Sequence, residues 1–353
     1  MNYQKRALCG GKAAACRRGS AAAIGTVPIV IIFLVFGCAR RNVIVKESRL
    51  LLGTICEITV SGEEPAKAKE AIQKTFFAVE RLQRSCGYDR DSDVSRINAS
   101  AGIHPVKVDT VVVEIIQESL KTSRLTDGAF DVTFAPLKKL WDFSGGSGRV
   151  PSKKEVGKIL PLLGWRNIKV TSVGNEVFLA GKGMEIDLGG IAKGKAIDIA
   201  AEVLGSAGIK NALIDFGGDI YAFGERSPGS SWQVGIRHPR RKGEIIGRIP
   251  IKNGAVVTSG DYERSFFKDG KRYHHIIDPR TGFPAQKSVS VTVLSGCAMT
   301  ADALATGIFV MGPDEGMSLV EKLPGVEAVI ISGPEDSPEI KISSGLKGLK
   351  LEY

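Results

Sequence analysis

Residues 273–302 read YHHIIDPRTGFPAQKSVSVTVLSGCAMTAD, and this stretch decides the fold class that the sequence predicts. Residues 288–294 alternate between apolar and polar side chains, which predicts a strand, and residues 300–310 have the spacing of a helix. Elsewhere the predicted strands cluster with pairs of helices and do not alternate strictly with them. We therefore predict an α+β fold with mostly antiparallel sheets and packed helices, in preference to a doubly wound parallel sheet.

The same periodicities predict further elements on both sides of this stretch. Apolar residues at helical spacing predict a helix over residues 66–85 and a second helix that begins after Asp109 as its N-cap. A third, long helix is opened by residues 186–194 and ends at residue 204. A hairpin around Gly174 is expected, and a helix over residues 314–322. Strands are predicted over residues 53–60, 212–216, 232–236, 247–251, 255–258, 326–332 and 339–343.

Composition and charge place the chain among globular proteins and argue against nucleic-acid binding. The 353 residues are 43% hydrophobic and 24% charged, with a net charge of +10. Half of that excess lies in residues 1–37, which contain five basic residues and no acidic one. The remainder has no dense Lys/Arg run with interleaved aromatic residues, so we expect no nucleic-acid partner.

The N-terminal segment predicts a bacterial lipoprotein. A basic region through Arg18 precedes an apolar run over residues 21–37, and Cys38 follows. We interpret residues 1–37 as a signal peptide, Cys38 as a lipidated residue, residues 38–48 as a linker and residues 49–353 as one folded domain. Residues 43–51 could be a short linker or an edge strand. A membrane-spanning anchor is the alternative, because the apolar run is almost long enough. Either interpretation places the domain outside the cytoplasm, tethered to a bacterial membrane, and the lipoprotein interpretation places it on the periplasmic face.

Three cysteines lie beyond this segment, and none is expected to carry chemistry. Cys56, Cys86 and Cys297 are odd in number and widely spaced, which fits neither a zinc site nor a disulfide framework. We expect them to behave as small hydrophobic residues.

Two glycine-rich segments are candidate sites of close approach to a ligand. Residues 187–194 read DLGGIAKG at a predicted strand-to-helix junction, where backbone amides and Lys193 suit a phosphate. The segment matches neither a Walker loop nor the dinucleotide fingerprint. Gly217, Gly218 and Asp219 follow an apolar strand, and a tight turn explains them as well as a ligand does.

Polar side chains in and after the opening stretch suit proton transfer and metal binding. A histidine of the pair His274 and His275 could carry a proton, although a lone histidine is more often structural, and only one of the pair can face a given pocket. Asp302 and Thr306 are one helical turn apart, and their oxygens suit Mg²⁺ beside a phosphate. A capping aspartate with a buried threonine is the plain alternative.

Eight ordered motifs over about residues 50–312 resemble the ApbE family of bacterial FAD:protein FMN transferases. They are GT at 53–54, YDRDSDVSRIN at 88–98, GAFDVT at 128–133, DLGGIAKG at 187–194, GGD at 217–219, TSG at 258–260 with Tyr262 and Arg264, HIIDP at 275–279 with Thr281 and Gly282, and ADA at 301–303 with Thr306. The resemblance implies a T-fold-like α+β architecture forming a single large catalytic unit. Lys195 stands where the family often has Tyr, and Leu52 where it often has Met.

The resemblance also implies the ligands, with FAD as a substrate and Mg²⁺ as the cofactor. Mg²⁺ would be held by Asp302, Thr306 and a carbonyl near Gly190, with His275 and Asp302 as the catalytic residues. The FAD contacts that it implies are Leu52, Tyr88, Ala129, Phe130, Asp131, Asp187, Lys193, Ile276 and Ile277.

In the reaction that the resemblance implies, a threonine hydroxyl of a target protein attacks the FMN-side phosphorus of FAD, and AMP leaves. The target would be an extracytoplasmic subunit of a membrane redox complex. Two alternatives stay open: an FAD pyrophosphatase that uses water in place of threonine, and a lipoprotein that only binds flavin.

Overall fold

The largest element of the fold is an antiparallel sheet with helices on one face and a hairpin on the other. A computed structural model describes residues 43–87, 91–141, 143, 148–171 and 174–353. The signal peptide, the lipidated Cys38 and Tyr88 of the sequence analysis lie outside these residues. The sheet has the order β1-β2-β6-β7-β10-β15-β16-β17. These strands are β1 Ile44–Leu51, β2 Thr54–Ser61, β6 Ala212–Phe216, β7 Asp219–Phe223, β10 Asn253–Gly260, β15 Ser290–Ser295, β16 Val326–Ser332 and β17 Glu339–Ile342.

Smaller sheets and the helices complete the described part of the chain. The other strands are β3 Val106–Lys107, β4 Ile168–Thr171, β5 Glu176–Leu179, β8 Trp232–Arg237, β9 Ile245–Ile251, β11 Ser265–Lys268, β12 Lys271–His274, β13 Ile277–Asp278 and β14 Phe283–Pro284. The α-helices are α1 Pro65–Cys86, α2 Asp93–Ala99, α3 Thr110–Leu125, α4 Ala135–Lys138, α5 Lys153–Ile159, α6 Ala192–Ser206, α7 Ala298–Met311 and α8 Pro313–Val320. This mixture of helices and antiparallel sheet confirms the predicted α+β class.

Strand alternation divides the buried residues between two cores. In β10, Ala255 and Val257 belong to the core beneath the helices, whereas Val256 between them belongs to the core beneath the β8–β9 hairpin. Because successive side chains of a strand point to opposite faces, one sheet supports both cores. The periodicity of residues 255–258 predicted the strand but did not predict what covers each face.

Helix α7 is the central helix of the larger core. Ten of its 14 residues are buried and none is exposed, with small residues such as Ala301, Ala305 and Gly307 among the buried ones. A helix that is apolar on all sides is buried on all sides. It packs against β10, β15 and α6, so the functional residues on it are held on several sides.

At the N-terminal boundary of the domain, the structure shows the edge strand that is one of the two interpretations of residues 43–51. Residues 44–48, which the domain assignment places in the linker, form most of β1, and all eight residues of β1 pair with β2. The apolar side chains of Val45 and Leu51 are buried in the core, which makes β1 an edge strand of the domain. The described residues from 43 onward form one compact unit.

The three described cysteines form no disulfide. Cys56, Cys86 and Cys297 are free thiols. Burial raises the pKa of Cys56 and of Cys86 to about 12, which keeps both thiols protonated and unreactive.

Within the described part of the chain, no helix has the length and apolar character needed to cross a membrane.

Candidate functional site

Close packing of α6 against α7 brings two predicted site segments together. Gly194 makes this packing possible, because a Cβ atom there would lie 2.3 Å from the carbonyl oxygen of Ala298 and 2.7 Å from Cα of Met299. The Gly194 N–H donates a hydrogen bond of 2.9 Å to Oδ2 of Asp302. Residues 187–194 and the Asp302 helix therefore meet at one point.

Thr306 and Gly190 lie on the same side of this junction. A Cβ atom at Gly190 would lie 3.8 Å from Oγ1 of Thr306 and 3.4 Å from the ring of Phe130, so the backbone of Gly190 is close to both. Oγ1 of Thr306 is also 3.3 Å from Oγ of Ser259 at the end of β10. Asp302 and Thr306 occupy successive turns of α7, so the structure brings all three predicted metal-binding residues into one neighbourhood.

Lys193 points toward a carboxylate that the sequence analysis did not assign. Its ammonium forms an ion pair with Asp219, whose side chain is buried. Oδ1 of Asp219 accepts a hydrogen bond of 3.1 Å from the N–H of Thr258 in β10. Gly217 and Gly218 form the two-residue turn that joins β6 to β7, with φ of 70° and 95°. The turn interpretation of this segment is therefore right for its glycines, and Asp219 belongs to the site.

Burial and a neighbouring negative charge raise the pKa of the Asp302 carboxyl, which an ordinary helix-capping aspartate does not show. Asp302 is 5% exposed as a residue. Burial, and then the negative charge of Asp219, raise its pKa above the usual range, while Lys193 and the Gly194 N–H oppose that rise. Two carboxylates thus share one lysine in a buried space. A cation placed there would favour the ionised form of both.

The two histidines have different surroundings, as strand alternation predicted. His274 is buried, with Nε2 2.8 Å from the carbonyl oxygen of Ala285 and its ring packed edge-on against Phe309. His275 is partly buried, and its N–H donates to the carbonyl of Arg264. Its buried Nδ1 has no hydrogen-bond partner among the described residues. Burial lowers the pKa of His275 to about 3, so its imidazole is neutral at physiological pH.

Asp131 and Asp187 make internal contacts with both of their oxygens. Oδ1 of Asp131 accepts from the N–H and hydroxyl of Thr133, and Oδ2 accepts from the Trp165 N–H at 3.0 Å. Asp187 accepts from the Gly189 N–H at 2.6 Å and pairs with Lys138. These carboxylates shape the loops around the site, and a direct contact of either with FAD stays a prediction.

The remaining predicted contacts are apolar and mostly closed to solvent. Ala129, Phe130, Ile276 and Ile277 are each at most 5% exposed. Leu52 occupies the β1–β2 turn with φ of 53°, and its N–H donates to Oε1 of Gln83 at 2.6 Å. Their roles toward FAD stay predictions, as does that of Tyr88.

Three polar residues of the junction had no role in the sequence analysis. They are Asp219, Ser259 and Asp198, which accepts from the N–H groups of Ala298 and Met299 at 2.7 and 2.9 Å and so caps α7 from α6. The GGD and TSG motifs contained the first two residues. A contact across the fold defines each role, and no local spacing in the sequence indicates it.

Two negative findings help to delimit the site. No cluster of three or more His, Cys, Asp or Glu side chains within the described ranges could hold a metal ion. A metal at the junction would therefore rely on no more than two carboxylates together with neutral oxygens. A cavity of about 670 Å³ lies between β9 and residues 345–352, but no predicted site residue lines it.

Comparison with known proteins gives consistent matches over most of the chain. The model of the ApbE family matches residues 52–330. An FAD:protein FMN transferase of Treponema pallidum is 35% identical, over 86% of this chain and 90% of the relative. One of Vibrio cholerae is 35% identical, over 84% of this chain and 90% of the relative.

Solved structures agree with these matches. The ApbE protein of Thermotoga maritima superposes with a TM-score of 0.79 at 35% identity, covering 87% of this chain and 99% of that one. The flavin transferase ApbE of Vibrio cholerae gives a TM-score of 0.79 at 32% identity, with the same coverage of each chain. The fold and most of the length of these proteins are thus shared.

Proposed function

From the premise that the chain belongs to the ApbE family and is a flavin transferase, we propose that it moves the FMN moiety of FAD to a threonine of a target protein. The proposed reaction depends on Mg²⁺ and releases AMP. The observation that carries the proposal is the junction of Asp302, Thr306, Gly190 and Lys193. It combines one buried carboxylate, neutral oxygens and a lysine, which suits a metal-assisted reaction at a phosphate.

The residues present fit Mg²⁺. Asp302 is a buried carboxylate with Oδ1 unbonded within the described residues, Thr306 supplies a hydroxyl, and the Gly190 backbone lies beside that hydroxyl. Mg²⁺ accepts few protein oxygens and keeps positions for water and phosphate. When bound, the metal supplies positive charge that neutralises the pyrophosphate.

The protein's own groups divide the remaining work. Lys193 and the positive end of the α6 helix dipole place positive charge on the phosphate side. The neutral His275 accepts the proton of the threonine hydroxyl as its oxygen bonds to the FMN-side phosphorus. The bond from that phosphorus to the bridging oxygen breaks, and AMP departs with that oxygen. Apolar residues such as Phe130 exclude water from the junction.

The location and the partner complete the proposal. The predicted lipoprotein signal would place the domain on the periplasmic face of a bacterial membrane, held by a lipid anchor. The target would then be an extracytoplasmic subunit of a membrane redox complex. FAD hydrolysis by water is the second candidate, because the same junction would serve it. A purely flavin-binding role is disfavoured by the intact pair of Asp302 and Thr306.

A direct assay tests the proposal. The protein is incubated with FAD, Mg²⁺ and a threonine-containing acceptor peptide, and peptide mass and AMP are measured. We expect a peptide that has gained FMN, together with an equal amount of AMP. AMP without labelled peptide would support the hydrolase, and no AMP would refute both enzymatic functions.

Substitution of the metal anchor gives a sharper test. Asp302→Ala should lower turnover at least about a thousandfold, because the carboxylate is the only anionic ligand in the proposed set. Ser343→Ala is the control for loss of stability without loss of a metal ligand. Ser343 is a buried polar residue directly after β17, and its variant should retain turnover. Retained activity in the Asp302→Ala protein would contradict the metal assignment.

A further inference from the structure

The Lys193 ammonium has two buried carboxylates to choose between, and the structure pairs it with Asp219. Both Asp219 and Asp302 act on Lys193 electrostatically, and together they keep its pKa raised although burial opposes this. The ion pair, however, is formed with Asp219. Asp302 receives only the Gly194 N–H, on Oδ2, within the described residues.

Asp219 is fixed so that it can hold the lysine. Its backbone begins β7 immediately after the turn, and its Oδ1 is bonded to the Thr258 N–H of β10. Only Oδ2 is directed to the ammonium. The Asp219 side chain is 3% exposed, so neither water nor a surface rotamer competes strongly for this position. The ion pair therefore joins the first turn of α6 to the start of β7, and the Asp219–Thr258 hydrogen bond extends this connection to β10 next to Ser259.

The arrangement matters because a lysine and a divalent cation compete for the same carboxylate. Without Asp219, the strongest remaining partner of the ammonium is Asp302. A lysine paired with Asp302 would occupy the oxygen that a metal needs and would turn away from the phosphate side.

We propose that Asp219 is a positioning residue that holds Lys193 away from Asp302, which leaves Asp302 open to a divalent cation and directs the ammonium toward the phosphates of the substrate. This inference rests on the metal site of the proposed function. It assigns Asp219 no contact with the reacting atoms. Its consequence is an energetic coupling between Asp219 and Lys193 that is visible in metal binding.

A double-mutant cycle on Mn²⁺ binding tests this coupling. Free Mn²⁺ is measured by electron paramagnetic resonance in FAD-free wild-type protein and in Asp219→Asn, Lys193→Met and the double variant. Asparagine keeps the acceptor for the Thr258 N–H, so the turn is preserved. Asp219→Glu, which retains a carboxylate, is the conservative variant.

The cycle separates competition by the lysine from simple loss of charge. With Lys193 present, Asp219→Asn should weaken Mn²⁺ binding by about tenfold or more. With Lys193→Met, the same change should weaken binding only about threefold, because just one nearby negative charge is lost. Asp219→Glu should restore at least part of the affinity.

Each outcome either supports or overturns the inference. Equal effects of Asp219→Asn in the two backgrounds would overturn it, and so would wild-type protein that binds no Mn²⁺. If Asp219→Asn does not fold, Asp219→Ser, which also removes the carboxylate and keeps an acceptor, replaces it in the same cycle, and an equal loss of Mn²⁺ affinity with and without Lys193 would overturn the inference. The peptide assay is read separately. Transfer activity with no coupling refutes only the role of Asp219, whereas coupling without transfer or AMP refutes only the proposed function.

Discussion

Gly194 is the position where packing and chemistry are most tightly joined, and its replacement by alanine gives a specific prediction. The new Cβ would lie 2.3 Å from the Ala298 carbonyl oxygen and 2.7 Å from Cα of Met299. Both are backbone atoms of α7, so no side chain can rotate away. The helices must separate by about 1 Å to restore ordinary contact, and the Gly194 hydrogen bond to Asp302 is then stretched or lost.

The expected free-energy change can be worked from these contacts. Overpacking of this kind costs about 1–3 kcal/mol, and loss of a hydrogen bond to a charged group costs about 1.5–3 kcal/mol. Alanine in a helix recovers about 1 kcal/mol relative to glycine. We therefore expect Gly194→Ala to lower the free energy of unfolding by about 1.5–5 kcal/mol.

Urea unfolding followed by circular dichroism measures this change, and Gly205→Ala is the matched control. Gly205 lies in the same helix, α6, and a Cβ atom there would meet nothing within 4 Å. The control should therefore be stabilised by up to about 1 kcal/mol. At temperatures where Gly194→Ala is still folded, its AMP release should fall at least about tenfold, because Asp302 is displaced. A Gly194→Ala protein as stable and active as Gly205→Ala would refute the reasoning.

Two further predictions concern His275 and Asp198. Burial lowers the pKa of His275 to about 3, so below pH 6.5 the unfolded chain binds a proton that the folded protein does not. The free energy of unfolding of the wild type should fall relative to His275→Gln by up to about 1.4 kcal/mol per pH unit between pH 6.5 and 4, and parallel urea-unfolding curves would contradict this. Asp198→Ala removes the cap of α7 and should lower the free energy of unfolding by about 1–2 kcal/mol in the same assay. Glu202 is exposed and lies on α6, as Asp198 does, and Glu202→Ala should lower the free energy of unfolding by less than about 0.5 kcal/mol. An equal cost for the two variants would show that the cap does not stabilise α7.

Elements whose signals are local could be predicted from the sequence. The helix beginning after Asp109 has that residue as its N-cap, with the side chain accepting from the Val111 N–H. The strand Ala212–Phe216 has the predicted bounds. Asp302 and Thr306 are one turn apart on α7, and the helical period alone places them on one face. In each case the deciding interaction lies within a few residues along the chain.

Roles that depend on contacts across the fold could not be predicted in this way. The sequence shows that Asp219 follows two glycines, but the lysine that it holds is on a different element. Asp198 caps a helix that begins about a hundred residues later, so no capping motif is visible near either residue. Residues 44–48 lack a strong strand signal of their own, and pairing with β2 makes them part of the sheet.

The charges at the junction explain why a cation is the natural complement of this site. Asp219 and Asp302 bring two carboxylates into a buried space that Lys193 only half neutralises. An unpaired buried charge is costly, and the protein meets this cost by raising the pKa of Asp302. A divalent ion at Asp302 would instead stabilise the ionised carboxylate while leaving the Lys193–Asp219 pair intact. The same balance makes the site sensitive to Asp219, because removing that carboxylate leaves one lysine and one carboxylate, which satisfy each other and leave the cation without its anionic ligand.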